Sequence, residues 1–511
     1  MKINAKLLLL FAAAGIFMLA FAGCGNNTHP YEGRIPAEFD KLCRRAIDEW
    51  KVPGMAVGVV KDGKVVFLKG FGVAKVADST ADAIPVTEKT QFVIASTSKA
   101  FTGALLANVM DEYPQIKWDS PVIEHLPDFR LHDSWVTENF QVREIMTHHT
   151  GFKGYALDDL PFFGYDRDEL YSLFGVVEPT YSFRTTYAYN NGMYTVAAKI
   201  IEKYTGKSWD EAVAERLFKP LQMKNTTTGN VSFYTAENLA QGYRVMKAEG
   251  KDELAVEPRL DKKDAFTWLS AVAPAGFVIS TAEDMTNWLK MNLNHGVFND
   301  SVIVSRKNHD MLFYPQTITS CDSSRLCNYA QGWTIEQNGR GRYIRHTGLG
   351  YGYTALVGMV PALNLGFVFL TNNGTSSSAQ EAIARDLIEM YYGNDKSRHF
   401  DESLARFKAS LFKKKEEKRE DENILPALKN SAYTGTYVKE IFGTAKVYER
   451  NDSLFFNLRI VDSYLEHKNG NTFSFRVPGA GSFDLIFTGN GSRITSLTFD
   501  INDPIGEFRK Q

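Results

Sequence analysis

Residues 94–101 read Ile94-Ala95-Ser96-Thr97-Ser98-Lys99-Ala100-Phe101 and lead directly into an apolar helical pattern that lasts to Met110. A spacing of three puts Ser96 and Lys99 on one face of that helix, one turn apart. The helix N-terminus also favours negative charge at Ser96. An unaided serine hydroxyl is a weak nucleophile and needs a base within hydrogen-bond reach, plus donors for a developing oxyanion. This stretch supplies the serine and a candidate base together, so the rest of the chain is read outward from it. Spacing alone says little: Ser410 and Lys413 repeat it on a charged stretch where no chemistry is expected.

On the N-terminal side, apolar runs Met55–Val60 and Val65–Val73 flank Asp62-Gly63, the dipeptide favoured in a tight hairpin. Before them Phe39, Leu42, Cys43, Ala46, Ile47 and Trp50 recur at helical spacing until Pro53-Gly54 stops the pattern. Cys43, on the apolar face of that helix, is expected to be a buried inert thiol. A second strand group comes late, at Tyr343–His346, Tyr353–Val360 and Gly366–Leu370, followed by a helical stretch from Ser377 to Tyr392. The long region between the two groups is mostly helical in pattern, with Phe101–Met110 and Met193–Tyr204 clearest. That order predicts an α/β (α+β) fold in which one antiparallel sheet, built from both ends of the first 395 residues, is flanked by helices and carries an inserted helical subdomain. Lys413–Glu422 is almost all charge, the pattern of a solvated linker. Beyond it Tyr433–Phe508 alternates short β-rich runs with Asn-Gly, Asn-Asp and Gly-Ser turns, the signature of a small all-β barrel or sandwich.

The chain has 511 residues, 44% hydrophobic and 23% charged, the composition of a globular protein too long for one ordinary core. Its net charge is −2, and no dense basic patch stands outside the mixed-charge linker, so nucleic acid is not an expected partner. Two lysines, an unbroken apolar run from Leu7 to Gly23 and then Cys24 have the layout of a secretory signal ending at a small residue. The alternative is a transmembrane anchor, because the run approaches the length needed to cross a bilayer. Phe21-Ala22-Gly23-Cys24 resembles the bacterial lipobox, with Phe where Leu is usual. That resemblance implies lipidation at Cys24 and a soluble domain tethered at a membrane in the bacterial cell envelope, on the periplasmic side or the cell surface.

In such an oxidising compartment Cys321 and Cys327 bracket Asp-Ser-Ser-Arg-Leu, and a disulfide closing so short a loop would contribute about 2 kcal/mol where geometry permits. Asn225-Thr226-Thr227 and Asn373-Gly374-Thr375 have glycosylation spacing but read more simply as turns. Ten histidines form no recognised metal-ligand pattern, so neither a metal nor another cofactor is expected.

The company kept by Ser96 and Lys99 carries the argument. Tyr189-Asn190-Asn191 has the Y-x-N form, and His346-Thr347-Gly348 lies on a predicted strand. Further matches are Val52–Val57, Trp118-Asp119-Ser120-Pro121 before Leu126-Pro127, Ile145–Gly151 and Pro274–Asp284. In this order they resemble serine hydrolases related to class C β-lactamases and penicillin-binding proteins, over roughly residues 35–392. The resemblance implies Ser96 as the acylated nucleophile, Lys99 as its partner in proton transfer and Tyr189 as a second proton carrier. It implies that Asn191 holds Lys99 and a substrate amide, and that an oxyanion hole comes from the N–H groups of Ser96 and Leu349, beside His346, Thr347 and Gly348. Lys99 acts as a base only where burial lowers its pKa. Asn190 reads as a bystander, and the second His-Thr-Gly, at His149, as a loop.

His346 stands where such relatives carry lysine, and a largely neutral imidazole attracts a substrate carboxylate less than a permanent cation does. The expected reaction is acyl transfer on a small ester, amide or short peptide, with esterase or D-amino-acid peptidase activity favoured over a true β-lactamase or penicillin-binding carboxypeptidase. A non-catalytic binding lipoprotein is the rival from another class. The expected organisation is a lipoprotein signal peptide over 1–24, a tether over 25–34, the hydrolase domain over 35–395, a charged linker over 396–428 and an accessory β domain over 429–511.

Overall fold

The hairpin written at Asp62-Gly63 forms as expected: β1 (Gly54–Lys61) and β2 (Lys64–Lys75) pair antiparallel around a turn with both φ angles positive, +51° at Asp62 and +72° at Gly63. The computed structural model describes residues 34–77, 82–229, 236, 238–248, 254–259, 268–394, 397–412, 428–491, 493–499, 501 and 506–511. The expected signal peptide, its Cys24 and the charged run 413–422 lie outside the described residues.

β1 is buried along its whole length. Its odd residues Met55, Val57 and Val59 join one core cluster and its even residues Ala56 and Val60 another, so each face of the sheet has its own core. Period-two alternation between two covered faces explains an apolar run without polar interruptions. α1 (Ala37–Glu49) turns Phe39, Leu42, Cys43 and Ala46 onto the sheet, where they meet Phe367 and Phe369 and helical residues Ile383 and Leu387. Each large apolar side chain buried this way contributes about 1.5–3 kcal/mol. The Cys43 thiol is buried as expected, and burial pushes its pKa well up.

The central sheet has nine strands in the order β4-β5-β6-β7-β8-β9-β1-β2-β3, with β3 (Ile84–Pro85), β4 (Thr317–Cys321), β5 (Arg325–Tyr329), β6 (Thr334–Asn338), β7 (Gly341–Gly350), β8 (Tyr353–Val360) and β9 (Leu365–Thr371). Strands from both ends meet where β9 pairs with β1, as the order of apolar runs predicts. The region 317–338, read as part of the helical middle, is instead three strands that extend the sheet past Tyr343. They lack long apolar runs because several of their side chains are exposed.

The Cys321–Cys327 bridge does not form, and both thiols are free. The register puts Cys327 opposite Ser320 and Cys321 opposite Leu326. Neighbouring register positions point to opposite faces of a sheet, so Cys327 is buried while Cys321 is exposed. Asn373-Gly374-Thr375 is a turn, as expected: Asn373 Oδ1 accepts from Thr375 N and Oγ1.

Helices α2 (Ser98–Glu112) and α3 (Tyr194–Thr205) and their neighbours cover one face of the sheet, together with α4 (Ala282–Leu293). α5 (Ser377–Tyr391) and α6 (Arg398–Phe412) cover the other, where α6 stacks Phe407 on Trp50 at 4.7 Å. Among the described residues no helix is long and apolar enough to cross a membrane.

The C-terminal part is a nine-stranded antiparallel sheet that curls into a barrel-like domain, from Gly435–Lys439 to Phe508–Lys510. The helical subdomain pushes Phe163 into its core, 5.7 Å from Phe499 and 6.5 Å from Phe475 between ring centroids. Around this plug, Tyr165 donates to the Phe442 carbonyl at 2.6 Å and Arg459 pairs with Glu169 at 2.7 Å.

Candidate active site

A short 3-10 turn, Ala95–Thr97, delivers Ser96 to the start of α2. Ala95 holds φ +46°, a left-handed conformation an alanine adopts only under constraint. The constraint is visible at Gly348 of β7, where an added Cβ would lie 2.1 Å from Ile94 O and 3.2 Å from Ser96 N. Only glycine lets the strand pass so close to the serine turn. β6 pairs with β7 no further than Arg345, so among the described residues the β7 edge from His346 to Gly350 has no strand on the side away from β8. That edge, carrying Leu349, packs against the serine turn.

Lys99 is fully buried. Its Nζ lies 3.2 Å from Ser96 Oγ, 2.6 Å from Asn191 Oδ1 and 2.9 Å from Ala275 O. Burial pushes its pKa down to about 7 against the pull of Asp158. A neutral amine there donates to Asn191 and Ala275, which leaves its lone pair for the Ser96 hydroxyl proton. Ala275, in the short helix Ala273–Gly276, had no role assigned from sequence. That segment is stapled to α2 by Thr102 Oγ1 donating to Pro274 O and by Val278 N donating to Ser98 Oγ.

The Tyr189 hydroxyl is hydrogen-bonded to Ser96, and burial holds its pKa well above the ordinary value. Its ring centroid is 4.8 Å from Lys99 Nζ. The phenol is therefore protonated at rest, a proton donor rather than a standing base. Tyr189 is placed from behind by Tyr155, whose N–H donates to Tyr189 O at 2.6 Å, and by the His148 ring at 4.3 Å. His148 and His149, read as a loop, thus form the back wall: His148 Nδ1 accepts from Asn190 N, and His149 Nδ1 lies 2.6 Å from Thr317 Oγ1. Asn190 is a brace, donating to Ala156 O and accepting from Met193 N.

Asn191 is 5% exposed and its Oδ1 holds Lys99, as expected. Its Nδ2 donates to Asp158 Oδ2.

His346 faces the same cluster from β7, 5% exposed. Its Nδ1 lies 2.7 Å from Thr347 O and its Nε2 2.7 Å from Tyr329 Oη. A carbonyl accepts only, so Nδ1 carries the hydrogen and the Tyr329 hydroxyl donates to Nε2. Burial, with Lys99 nearby, pushes the His346 pKa down to about 3. The imidazole is neutral, and both its nitrogens are occupied. Thr347, expected to bind substrate, is exposed and points to the other face, where it lines a cavity of about 610 Å³ with Arg345 and Ser377. Strand alternation that turns His346 and Gly348 inward turns Thr347 and Leu349 outward. Leu349 can serve an oxyanion hole only through its backbone N–H, because its hydrocarbon side chain has no donor.

Asp158, Ala275, Tyr329 and His148 were missed from sequence. The signal that could have pointed to two of them is their place inside or near matched segments, since His148 lies in Ile145–Gly151 and Ala275 in Pro274–Asp284. Among the described residues one trio, His295, His309 and Asp310, brings metal-ligand-type atoms within 4.8 Å of one another. None of the three touches Ser96, Lys99 or Tyr189 in any hydrogen bond above, and Asp310 is already ion-paired with Arg306 at 3.1 Å.

A long antiparallel sheet with a helix-borne serine, a buried lysine and a tyrosine at its edge defines a protein of the β-lactamase and penicillin-binding-protein type. Residues 39–389 match the Beta-lactamase family, and the chain belongs to it. Residues 419–508 match a domain of unknown function (DUF3471). Unguisins hydrolase ungD' of Aspergillus campestris (strain IBT 28561) is 27% identical over 363 residues, 68% of this chain and 63% of that protein. Protein flp of Staphylococcus aureus (strain MW2) is 25% identical, over 66% of this chain and 62% of that protein. The chain thus spans less than two thirds of the length of these curated relatives. Among solved structures, the octameric penicillin-binding protein homologue from Pyrococcus abyssi superposes with a TM-score of 0.57 at 20% identity, over 91% of this chain and 98% of that one. SurE with D-Leu gives 0.52 at 18% identity, over 93% and 98%. At such identities the likeness concerns the fold.

Proposed function

We propose that the chain is a serine hydrolase that works through an acyl-enzyme on neutral esters or amides. One observation carries this reading: Lys99 Nζ stands 3.2 Å from Ser96 Oγ in a site where burial holds the amine near neutrality. Ser96 gives its proton to the Lys99 lone pair as Oγ attacks the carbonyl carbon. The N–H groups of Ser96 and Leu349 receive the oxyanion. Tyr189 gives its proton to the leaving oxygen or nitrogen and is reprotonated from Lys99. A water then attacks the acyl carbon by the same relay in reverse and frees Ser96.

The neutral His346 disfavours substrates with a carboxylate beside the scissile bond, which sets true β-lactams and penicillin-binding carboxypeptidase substrates behind short esters and amides. The names of two similar proteins, a hydrolase of unguisins and SurE solved with D-Leu, put peptides and D-amino-acid amides in the panel to be tried. A fluorophosphonate probe labels Ser96 in this reading, and Ser96→Ala loses all labelling while keeping the wild-type circular dichroism spectrum. Labelling that survives in Ser96→Ala removes the serine from the mechanism.

We also propose that Cys24 is lipidated and holds the domain at the cell envelope, from Phe21-Ala22-Gly23-Cys24 and the apolar run before it. Intact mass of the native N-terminus tests this, for a diacylglyceryl adduct on Cys24 supports it and an unlipidated start upstream of Cys24 refutes it.

A further inference from the structure

Behind Lys99 lies a carboxyl group that no step above uses. Asp158 is 5% exposed, and its Oδ2 accepts from Asn191 Nδ2, while Asn191 Oδ1 in turn accepts from Lys99 Nζ at 2.6 Å. Its other oxygen, Oδ1, is buried without a hydrogen-bond partner among the described residues. Buried carboxyl oxygens are nearly always satisfied, so an orphaned one on the carboxyl group that grips the partner of a candidate base calls for a reason. The segment is held with effort: Tyr155 and Leu157 take φ +62° and +67°, and Trp268 Nε1 donates to Asp158 O at 2.7 Å. Two strained residues within four positions are the sort of cost retained where a side chain must be aimed.

We infer that Asp158 is a positioning residue of the acylation site, which fixes the Asn191 carboxamide with its oxygen toward Lys99 and sets how many protons the lysine and its surroundings hold. This rests on the serine hydrolase reading above. A carboxamide can present either end to a cation, and an acceptor at its nitrogen end selects the orientation that Lys99 requires. The carboxylate also acts through charge. Burial drives Asp158 up and Lys99 down, while the charge of each partner pulls the other back, so a proton lost by one changes the hold of the other on its own. Of the other described groups facing this unit, Asp159 adds a negative charge that raises Asp158 further, and the rest are uncharged. Tyr189 and Tyr194 present their rings to Lys99, His148 and His346 are held neutral, and Tyr155 and Asp159 flank Asp158 along its own segment.

The consequence is a signature in pH. In the wild type two protons leave the pair as pH rises, and the residual negative charge on Asp158 keeps Lys99 protonated longer. Asp158→Asn keeps an acceptor for Asn191 Nδ2 but removes that charge, so one proton leaves, at lower pH. The experiment measures the second-order rate of Ser96 labelling by a fluorophosphonate from pH 4.5 to 9.5. For Asp158→Asn the acidic limb moves down by at least half a pH unit and becomes a single titration, with the plateau within tenfold of wild type. Asp158→Ala shows the same displacement with a plateau reduced at least tenfold, because Asn191 has lost its anchor. Thermal melting separates this from unfolding, since a merely structural role lowers melting temperature and plateau without moving the limb. Superimposable acidic limbs in wild type and both variants overturn the inference but leave the hydrolase reading intact. Absence of Ser96 labelling in the wild type at every pH overturns both.

Discussion

Replacing His346 with lysine adds to the site a charge that the native chain withholds. With a pKa of about 3, about 1% of the native imidazole is protonated even at pH 5. The sign follows from burial: the folded state disfavours the charged form, so acidification over the ordinary range produces no cation. This corrects the expectation, natural for a histidine, that lowering pH would recruit anionic substrates. The wild-type ratio of kcat/KM for a carboxylate-bearing substrate over its neutral counterpart is therefore flat from pH 9 to pH 5. His346→Lys loses the Nδ1 bond to Thr347 O and replaces the Nε2 acceptor of the Tyr329 hydroxyl with an ammonium that donates to Tyr329 Oη. A hydrogen bond from a cation to a carboxylate is worth about 1.5–3 kcal/mol, and the bond lost to Thr347 O is common to both substrates and cancels from their ratio. The preference for the anionic substrate therefore rises by at least about 1.4 kcal/mol, about tenfold. The assay is a matched pair of esters, one with a free carboxylate, read across pH 5–9 in both proteins. A wild-type ratio that climbs on acidification, or a mutant ratio equal to wild type, refutes the argument, because His346 would then be titratable or turned away from substrate.

Gly348→Ala drives a Cβ to within 2.1 Å of Ile94 O, so the Ser96 turn must shift; the labelling rate of Ser96 falls by at least a hundredfold while the melting temperature drops only modestly. Phe163→Ala empties a fully buried ring site in the barrel-like domain, at a cost of about 3–5 kcal/mol, and calorimetry should show that domain melting separately or earlier. Cys321 and Cys327 stay reduced, so intact mass is unchanged by reductant and Cys327→Ser leaves the melting temperature within a few degrees.

Much of the acylation site was legible as local pattern. Ser96 and Lys99 are three residues apart on a helix, and helical periodicity alone fixes that they share a face. The β1–β2 hairpin was equally local, since Asp62-Gly63 accepts the positive φ angles its turn demands. Tyr189, Asn191 and His346 could be placed in order but not in state. What state each is in, and what holds it, depends on neighbours outside its own motif: Tyr329 for His346, Asp158 for Asn191, Ala275 for Lys99. Desolvation and hydrogen-bond partners are properties of packing, and no spacing in the sequence records them.

The same division explains two of the misreadings. Cys321 and Cys327 are near in sequence, but the register of β4 against β5 sends them to opposite faces, and register is set by the pairing of whole strands. Thr347 belongs to a matched motif, yet alternation along β7 turns its side chain away once His346 and Gly348 face inward. The sequence by itself determined the helix-borne serine–lysine pair, the sheet built from both ends and the separate β-rich tail, because periodicity and turn chemistry act over a few residues. Only the tertiary structure decided the neutrality of His346, the lowered pKa of Lys99 and the place of Asp158 behind them, because burial and partner geometry arise when separate segments of the chain close on one another.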